Sequence, residues 1–262
     1  MDVFLGAETV ADREDLRLVD VRDGWEFDGI GHLPGAVSIP FAEFRSADGD
    51  GDAATGMLPG ARRWGDLLSA AGVDRTDTLV VYDDTHGVFA ARFLVTALAY
   101  GHDPARLFLL DGDYSAWSRE RPVSREAVEP TPTSYEPTTA TELFVDFEDV
   151  RAAVDNDEVV IVDTREPEEY EAGHVPGAVQ LDWRELVDTD GTRGLRSRAE
   201  LEATLADHGI GPDRRVILYC NTARRISHTY LVCRHLSYDR VGFYEGSLTD
   251  WRDRGGPVET GN

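Results

Sequence analysis

The sequence predicts an α/β chain of two homologous domains, each a mainly parallel sheet with helices on both faces. Three observations predict it: a duplication, an alternation of β-branched runs with helical patterns, and a proline- and threonine-rich break near the middle. "LVDVRDGWEFDGIGHLPGAVSIP" at residues 18–40 returns as "IVDTREPEEYEAGHVPGAVQLD" at residues 161–182. "TLVVYDDTHGVFAARFLVTAL" (78–98) returns as "RVILYCNTARRISHTYLVCRHL" (215–236), and "LFLLDGDYSAW" (107–117) as "VGFYEGSLTDW" (241–251). A period of about 140 residues is too long for a solenoid unit and suits a duplicated globular domain.

Within the first half, "RLVDV" (17–21), "LVVYD" (79–83) and "LFLLD" (107–111) are short apolar, β-branched runs bounded by turn residues, and they read as strands. The second half repeats them as "VVIVDT" (159–164), "RVILYC" (215–220) and "VGFYE" (241–245). Helical patterns separate the strands, among them "RAELEATLADHG" (198–209), which Gly209 closes as a C-cap. Strands alternating with helices imply parallel βαβ units, in which ligands bind beyond the carboxyl ends of the strands. Residues 124–142, "SREAVEPTPTSYEPTTATE", hold three prolines and five threonines with almost no apolar residues. They predict an extended linker between a first domain at 1–123 and a second at 143–262.

The chain carries 50 acidic against 26 basic residues, a net charge of −24, and every basic residue is arginine because lysine is absent. So acidic a surface repels phosphate backbones and anionic lipid, which excludes bulk electrostatic binding to nucleic acid or membranes. The acids are spread among periodic apolar segments, as in a folded domain with a solvated surface rather than a disordered tail. Repulsion on such a surface is tolerable where salt screens it over about 3 Å, near 1 M. The composition resembles that of haloarchaeal proteins. The N-terminus "MDVFLGAETV" has neither a basic segment nor a long apolar run, and no apolar stretch approaches membrane-spanning length, so a soluble, cytoplasmic protein is expected.

Only two cysteines occur, Cys220 and Cys233, and they do not suggest a disulfide framework. Cys233 lies in a helical pattern among Leu231, Val232 and Leu236 and reads as core. By residue type Cys220 is equally a small buried hydrophobe, but its position adds a second reading. The loop Cys220-Asn221-Thr222-Ala223-Arg224-Arg225 joins a strand to a helix, so backbone amides and two guanidinium groups are expected to converge on the sulfur. Thiolates in such settings titrate at about 3.5 to 7.5. A cysteine phosphatase loop places arginine after cysteine and five further residues. Here Ile226 occupies that position, and Arg225 falls one place short. The smaller ring suits one extra sulfur atom on the thiolate.

Four motifs stand in this order: "VDVR" with "GHLPGA" (20–36), "VDTR" with "GHVPGA" (163–178), the strand-end "YC" loop, and the closing "YEGS…W" segment. Together they resemble the rhodaneses, or thiosulfate sulfurtransferases, in their tandem two-domain form, over nearly the whole chain. The resemblance implies two rhodanese-like domains and a ping-pong reaction. Cys220 takes the sulfane sulfur of a small-molecule donor such as thiosulfate and holds it as a persulfide. A thiophilic acceptor, cyanide or a thiol, removes it. The acceptor is open to include a protein. Asn221, Thr222, Ala223, Arg224 and Arg225 are the implied substrate-binding residues, and no metal or organic cofactor is needed. The first domain is implied to be inactive, since Asp83 stands where Cys220 does. A carboxylate forms no persulfide and is expected to sit poorly in an anion cradle.

This chain departs from the family's pattern at two positions. Ala223 replaces a frequent glycine, and Glu169 aligns with an arginine that commonly contacts the donor's anionic group, a loss that Arg224 and Arg225 are expected to offset. Arg165 has two readings, a contact to an anionic donor or an Asp163–Arg165 structural link. His32 and His174, each alone in its Gly/Pro-rich turn, read as structural. The "DGDGD" run at 48–52 begins like a calcium loop but lacks its glycine, at Ala53, and its closing glutamate, at Pro59. The loop arginines favour a compact dianion such as thiosulfate, with 3-mercaptopyruvate the alternative donor. A catalytically idle binding module is the alternative of another class.

Overall fold

β-Branched runs too short and too uniformly apolar to form amphipathic helices become the central strands of two sheets, each buried on both faces. The computed structural model describes residues 2–46 and 56–261, so the acidic run at 48–52 lies outside the described residues. The chain divides into two compact units, one of residues 2–140 with Thr189–Gly194, the other of Thr141–Asp188 with residues 195–262.

The first unit holds β1 (Phe4–Gly6), α1 (Ala7–Ala11), β2 (Leu16–Asp20), α2 (Gly24–Gly29), β3 (Val37–Ser38), α3 (Ala61–Ala70), β4 (Thr78–Tyr82), α4 (Val88–Ala99), β5 (Leu107–Asp111) and α5 (Tyr114–Glu120). Its strands order as β1-β5-β4-β2-β3, all parallel. The second unit repeats the plan with β6 (Phe144–Val145), α6 (Phe147–Val154), β7 (Val159–Asp163), α7 (Pro167–Glu171), β8 (Val179–Gln180), α8 (Arg198–Asp207), β9 (Arg215–Tyr219), α9 (Arg224–His235), β10 (Val241–Tyr244) and α10 (Ser247–Asp253). Its parallel order is β6-β10-β9-β7-β8. No helix among the described residues is long and apolar enough to cross a membrane.

The repeat extends to single bonds. The buried Tyr82 hydroxyl accepts from Leu33 N at 3.0 Å, and Tyr219 accepts from Val175 N at 3.0 Å, so each Gly-His turn is pinned to a central strand. The register Asp20↔Tyr82 and Asp163↔Tyr219 brings the carboxyl ends of β2 and β4, and of β7 and β9, side by side. The loops leaving the two strands of each pair are therefore neighbours.

The stretch at 124–142 departs from a free spacer. As far as Ala140 it belongs to the first unit and runs along it, with Ser124 and His32 exchanging bonds of 2.8 and 2.9 Å and Thr133 N reaching Ser69 O at 3.0 Å. Tyr135, 3% exposed, anchors it against His102 Nδ1 at 3.0 Å. Prolines keep the backbone extended, and the extended backbone finds partners on the domain instead of water. Gly65 inside α3 accommodates this strap: a Cβ there would lie 2.9 Å from Tyr135 O and Pro137 Cδ. The segment Thr189–Gly194, expected within the second domain, also folds with the first unit. Its Arg193 holds the fully buried Asp113 through Nε at 2.8 Å from both carboxylate oxygens.

Candidate active site

Cys220 comes directly after β9 and is 2% exposed. Its amide donates to Ser247 Oγ at 3.1 Å, Ser247 Oγ donates to Tyr244 O at 3.0 Å, and Leu248 N donates to Cys220 O at 3.0 Å. The cysteine backbone is thus fixed by the start of α10. Thr249 Oγ1 fixes the next residue by donating to Asn221 O at 2.9 Å. Neither Ser247 nor Thr249 was among the residues expected at the site. The only sequence signal for Ser247 is its place in "YEGS" opposite Asp113 of the duplicate.

Ala223 caps α9 with φ +60°, a left-handed conformation that carries a cost for a residue with a β-carbon. It lets the chain turn sharply from strand to helix, and Ser227 Oγ secures it by donating to Ala223 O at 2.7 Å. The first amides of α9 have no carbonyl of their own helix to bind.

The first half demonstrates what such a loop does. Asp83 comes directly after β4, is 1% exposed, and accepts four backbone N–H bonds: Oδ1 from Thr85 at 2.7 Å and Gly87 at 2.8 Å, Oδ2 from Phe89 at 2.7 Å and Ala90 at 2.9 Å. Burial pushes the carboxyl pKa up, and the four amides oppose it. The carboxyl remains raised overall, in keeping with an acid that fits the loop poorly, yet its two oxygens fill the loop from within and take the four amides. The link to the next helix is also shared, since Tyr114 N donates to Asp83 O at 2.8 Å where Leu248 N serves Cys220.

The arginines are not equivalent. Arg225 is ion-paired to Glu169, which also takes Arg225 Nη2 at 3.3 Å and Asn221 Nδ2 at 2.8 Å. Burial alone would raise the Glu169 carboxyl, but the Arg225 guanidinium outweighs it and holds the group below the usual carboxylate range. Arg225 is therefore committed to Glu169, against the expectation that both arginines offset that acid. Burial, with repulsion from Arg225, lowers Arg224 from its ordinary value, while attraction to neighbouring acidic groups, Glu169 among them, opposes the fall.

Arg165 is placed in the second of its two readings. It is 3% exposed, chelates Asp163 with Nε at 2.9 Å and Nη2 at 2.6 Å, and donates to Gly173 O at 2.7 Å. Its remaining Nη1 supports Asn221 Oδ1 at 3.4 Å. Arg22 makes the same bonds to Asp20 and Gly31 in the half without a cysteine, so the motif serves the fold. Replacing either arginine by alanine is expected to cost about 3–5 kcal/mol, because a buried carboxylate is left unpaired. Denaturant unfolding of the two variants checks this, with similar losses expected for both. A loss confined to donor KM in Arg165→Ala would contradict it.

His32 stacks on Phe27 at 3.9 Å and bonds to Leu33 O and Glu126 O, while His174 stacks on Tyr170 at 3.7 Å and bonds to Tyr170 O. Both rings hold their turns. Cys233 is fully buried, and burial pushes its thiol up to about 12, far from thiolate chemistry at neutral pH.

The profile of the Rhodanese-like domain matches residues 7–120 and again 146–254. A thiosulfate sulfurtransferase of Pseudomonas aeruginosa is 32% identical over 246 residues, covering 90% of this chain and 88% of the relative. A thiosulfate sulfurtransferase of Azotobacter vinelandii is 30% identical over 275 aligned residues, covering 96% of each. Among solved structures, a 3-mercaptopyruvate sulfotransferase of Escherichia coli superposes with a TM-score of 0.83 at 24% identity, covering 95% of this chain and 99% of that one.

Proposed function

The chain belongs to the family of Rhodanese-like domains, which it carries twice in tandem, and from that premise we propose that it is a sulfurtransferase working through a persulfide on Cys220. The observation that carries the reading is the Asp83 loop. Four amides hold a fixed carboxylate in one half, and in the other half a strand, a loop and a helix in the same order present a cysteine, with the helix starting one residue earlier in the alignment. A loop built to receive an anion, with its anion replaced by a nucleophile, stabilises negative charge on sulfur.

The thiolate of Cys220 attacks the sulfane sulfur of thiosulfate, the sulfur–sulfur bond breaks, and sulfite leaves with the electron pair. The new terminal sulfur carries the negative charge into the cradle. A thiophilic acceptor then attacks that sulfur, and the cysteine departs as thiolate. With cyanide the product is thiocyanate, and a small or protein thiol serves in the same way. In this reading Arg224 and the amides from Thr222 onward oppose charge build-up in both steps, while Arg165 and Asn221 brace the loop.

Thiosulfate as donor is supported by relatives of that name that align over most of this chain. One observation favours 3-mercaptopyruvate as a second donor: the Glu169 pair removes one of the loop's two positive charges, which weakens the case for a dianion. The acidic, lysine-free composition supports action in the cytoplasm of a salt-rich cell. A cyanide-coupled assay in molar KCl tests the reading, with turnover of thiosulfate expected and slower turnover of 3-mercaptopyruvate. No thiocyanate from either donor would overturn it.

A further inference from the structure

We propose that Glu169 determines how strongly the Cys220 site discriminates between donors of different charge, by holding Arg225 in an ion pair. The choice of donors rests on the sulfurtransferase reading. The arrangement arises from strand register. β7 and β9 are paired with Asp163 opposite Tyr219, so α7 and the cysteine loop start side by side, and Glu169 on α7 meets Arg225 on α9 although 56 positions separate them.

The side chains of the pair are 15% and 30% exposed, Arg225 and Glu169 respectively. Solvent and salt therefore screen it less than they screen a surface pair. Glu169 also takes Asn221 Nδ2 at 2.8 Å, next in sequence to the nucleophile. One carboxylate thus cancels the Arg225 guanidinium and braces the loop.

Electrostatic attraction scales with donor charge. Removing one negative charge beside the site multiplies the affinity of a monoanion by some factor and that of a dianion by the square of it. Thiosulfate is a dianion, and 3-mercaptopyruvate carries one charge on its carboxylate while its thiol stays protonated. Glu169 therefore narrows the advantage that loop arginines give to thiosulfate, and the site accepts both donors more evenly. Because Glu169 acts through Arg225, it is a positioning residue and touches no reacting atom.

Calorimetric titration in the absence of turnover tests the inference. Thiosulfate and 3-mercaptopyruvate are each titrated into Cys220→Ser and into Cys220→Ser carrying Glu169→Gln, with Glu169→Asp as the charge-retaining control. Glutamine keeps an acceptor for Asn221 and removes only the charge. The Gln variant is expected to bind thiosulfate about tenfold more tightly and 3-mercaptopyruvate about threefold more tightly, with the Asp variant unchanged. Equal gains for both ligands, no gain, or weaker thiosulfate binding would overturn it. The sulfurtransferase reading fails separately, by absence of sulfur on Cys220 of the unmodified protein, and the binding contrast decides the role of Glu169 in either case.

Discussion

Cys220→Ser is expected to lower thiosulfate turnover with cyanide by about a thousandfold or more, since the serine hydroxyl is neither ionised at neutral pH nor able to carry a transferable sulfur. The backbone anchors at this position do not involve the side chain: Ser247 Oγ receives the Cys220 amide and Leu248 N meets the Cys220 carbonyl. The variant should therefore keep its fold, and unfolding midpoints close to those of the unmodified protein would establish that the loss is chemical. Cys233→Ser serves as the contrasting variant, because that thiol is fully buried and pushed up to about 12. It should retain sulfur transfer while losing some stability.

The second large effect lies in the first half, at Asp83. Asp83→Ala strips the acceptor from four amides that converge on a buried carboxylate. Each buried donor left unpaired costs about 1–3 kcal/mol, partly recovered where water enters, so a total of about 3–5 kcal/mol is expected. Asp83→Asn keeps one acceptor oxygen and brings an amide group against the remaining donors, and it should fall between alanine and the unmodified chain. Denaturant unfolding monitored on the first unit measures both. An Asp83→Ala variant as stable as the parent would mean that the carboxylate bonds are incidental.

The fold was legible in the sequence because the duplication repeats its punctuation. Gly-His turns, V-D-x-R strands and the closing tryptophans recur in the same order, and each pair reports on the other. Cys220 was legible for the same reason, standing alone where its twin is Asp83. The destination of polar groups was not. That the Asp83 carboxylate fills its own loop depends on where four amides point, and residue types do not record that. The sequence pattern suggested instead a residue out of place.

The Glu169–Arg225 pair was hidden for another reason. It joins two helix starts across a strand register, and nothing local in "EPEEY" or "TARRI" reveals it. The proline-rich stretch read as an extended linker, and that reading does not say what it lies against. Tyr135 and the interior Gly65 that accommodates the strap acquire meaning only together.

Mass spectrometry of the protein after exposure to thiosulfate tests the central claim most directly. The account predicts a gain equal to one sulfur atom, mapped to the peptide bearing Cys220, discharged by cyanide and absent in Cys220→Ser. No added sulfur, or sulfur borne by Cys233, would contradict it.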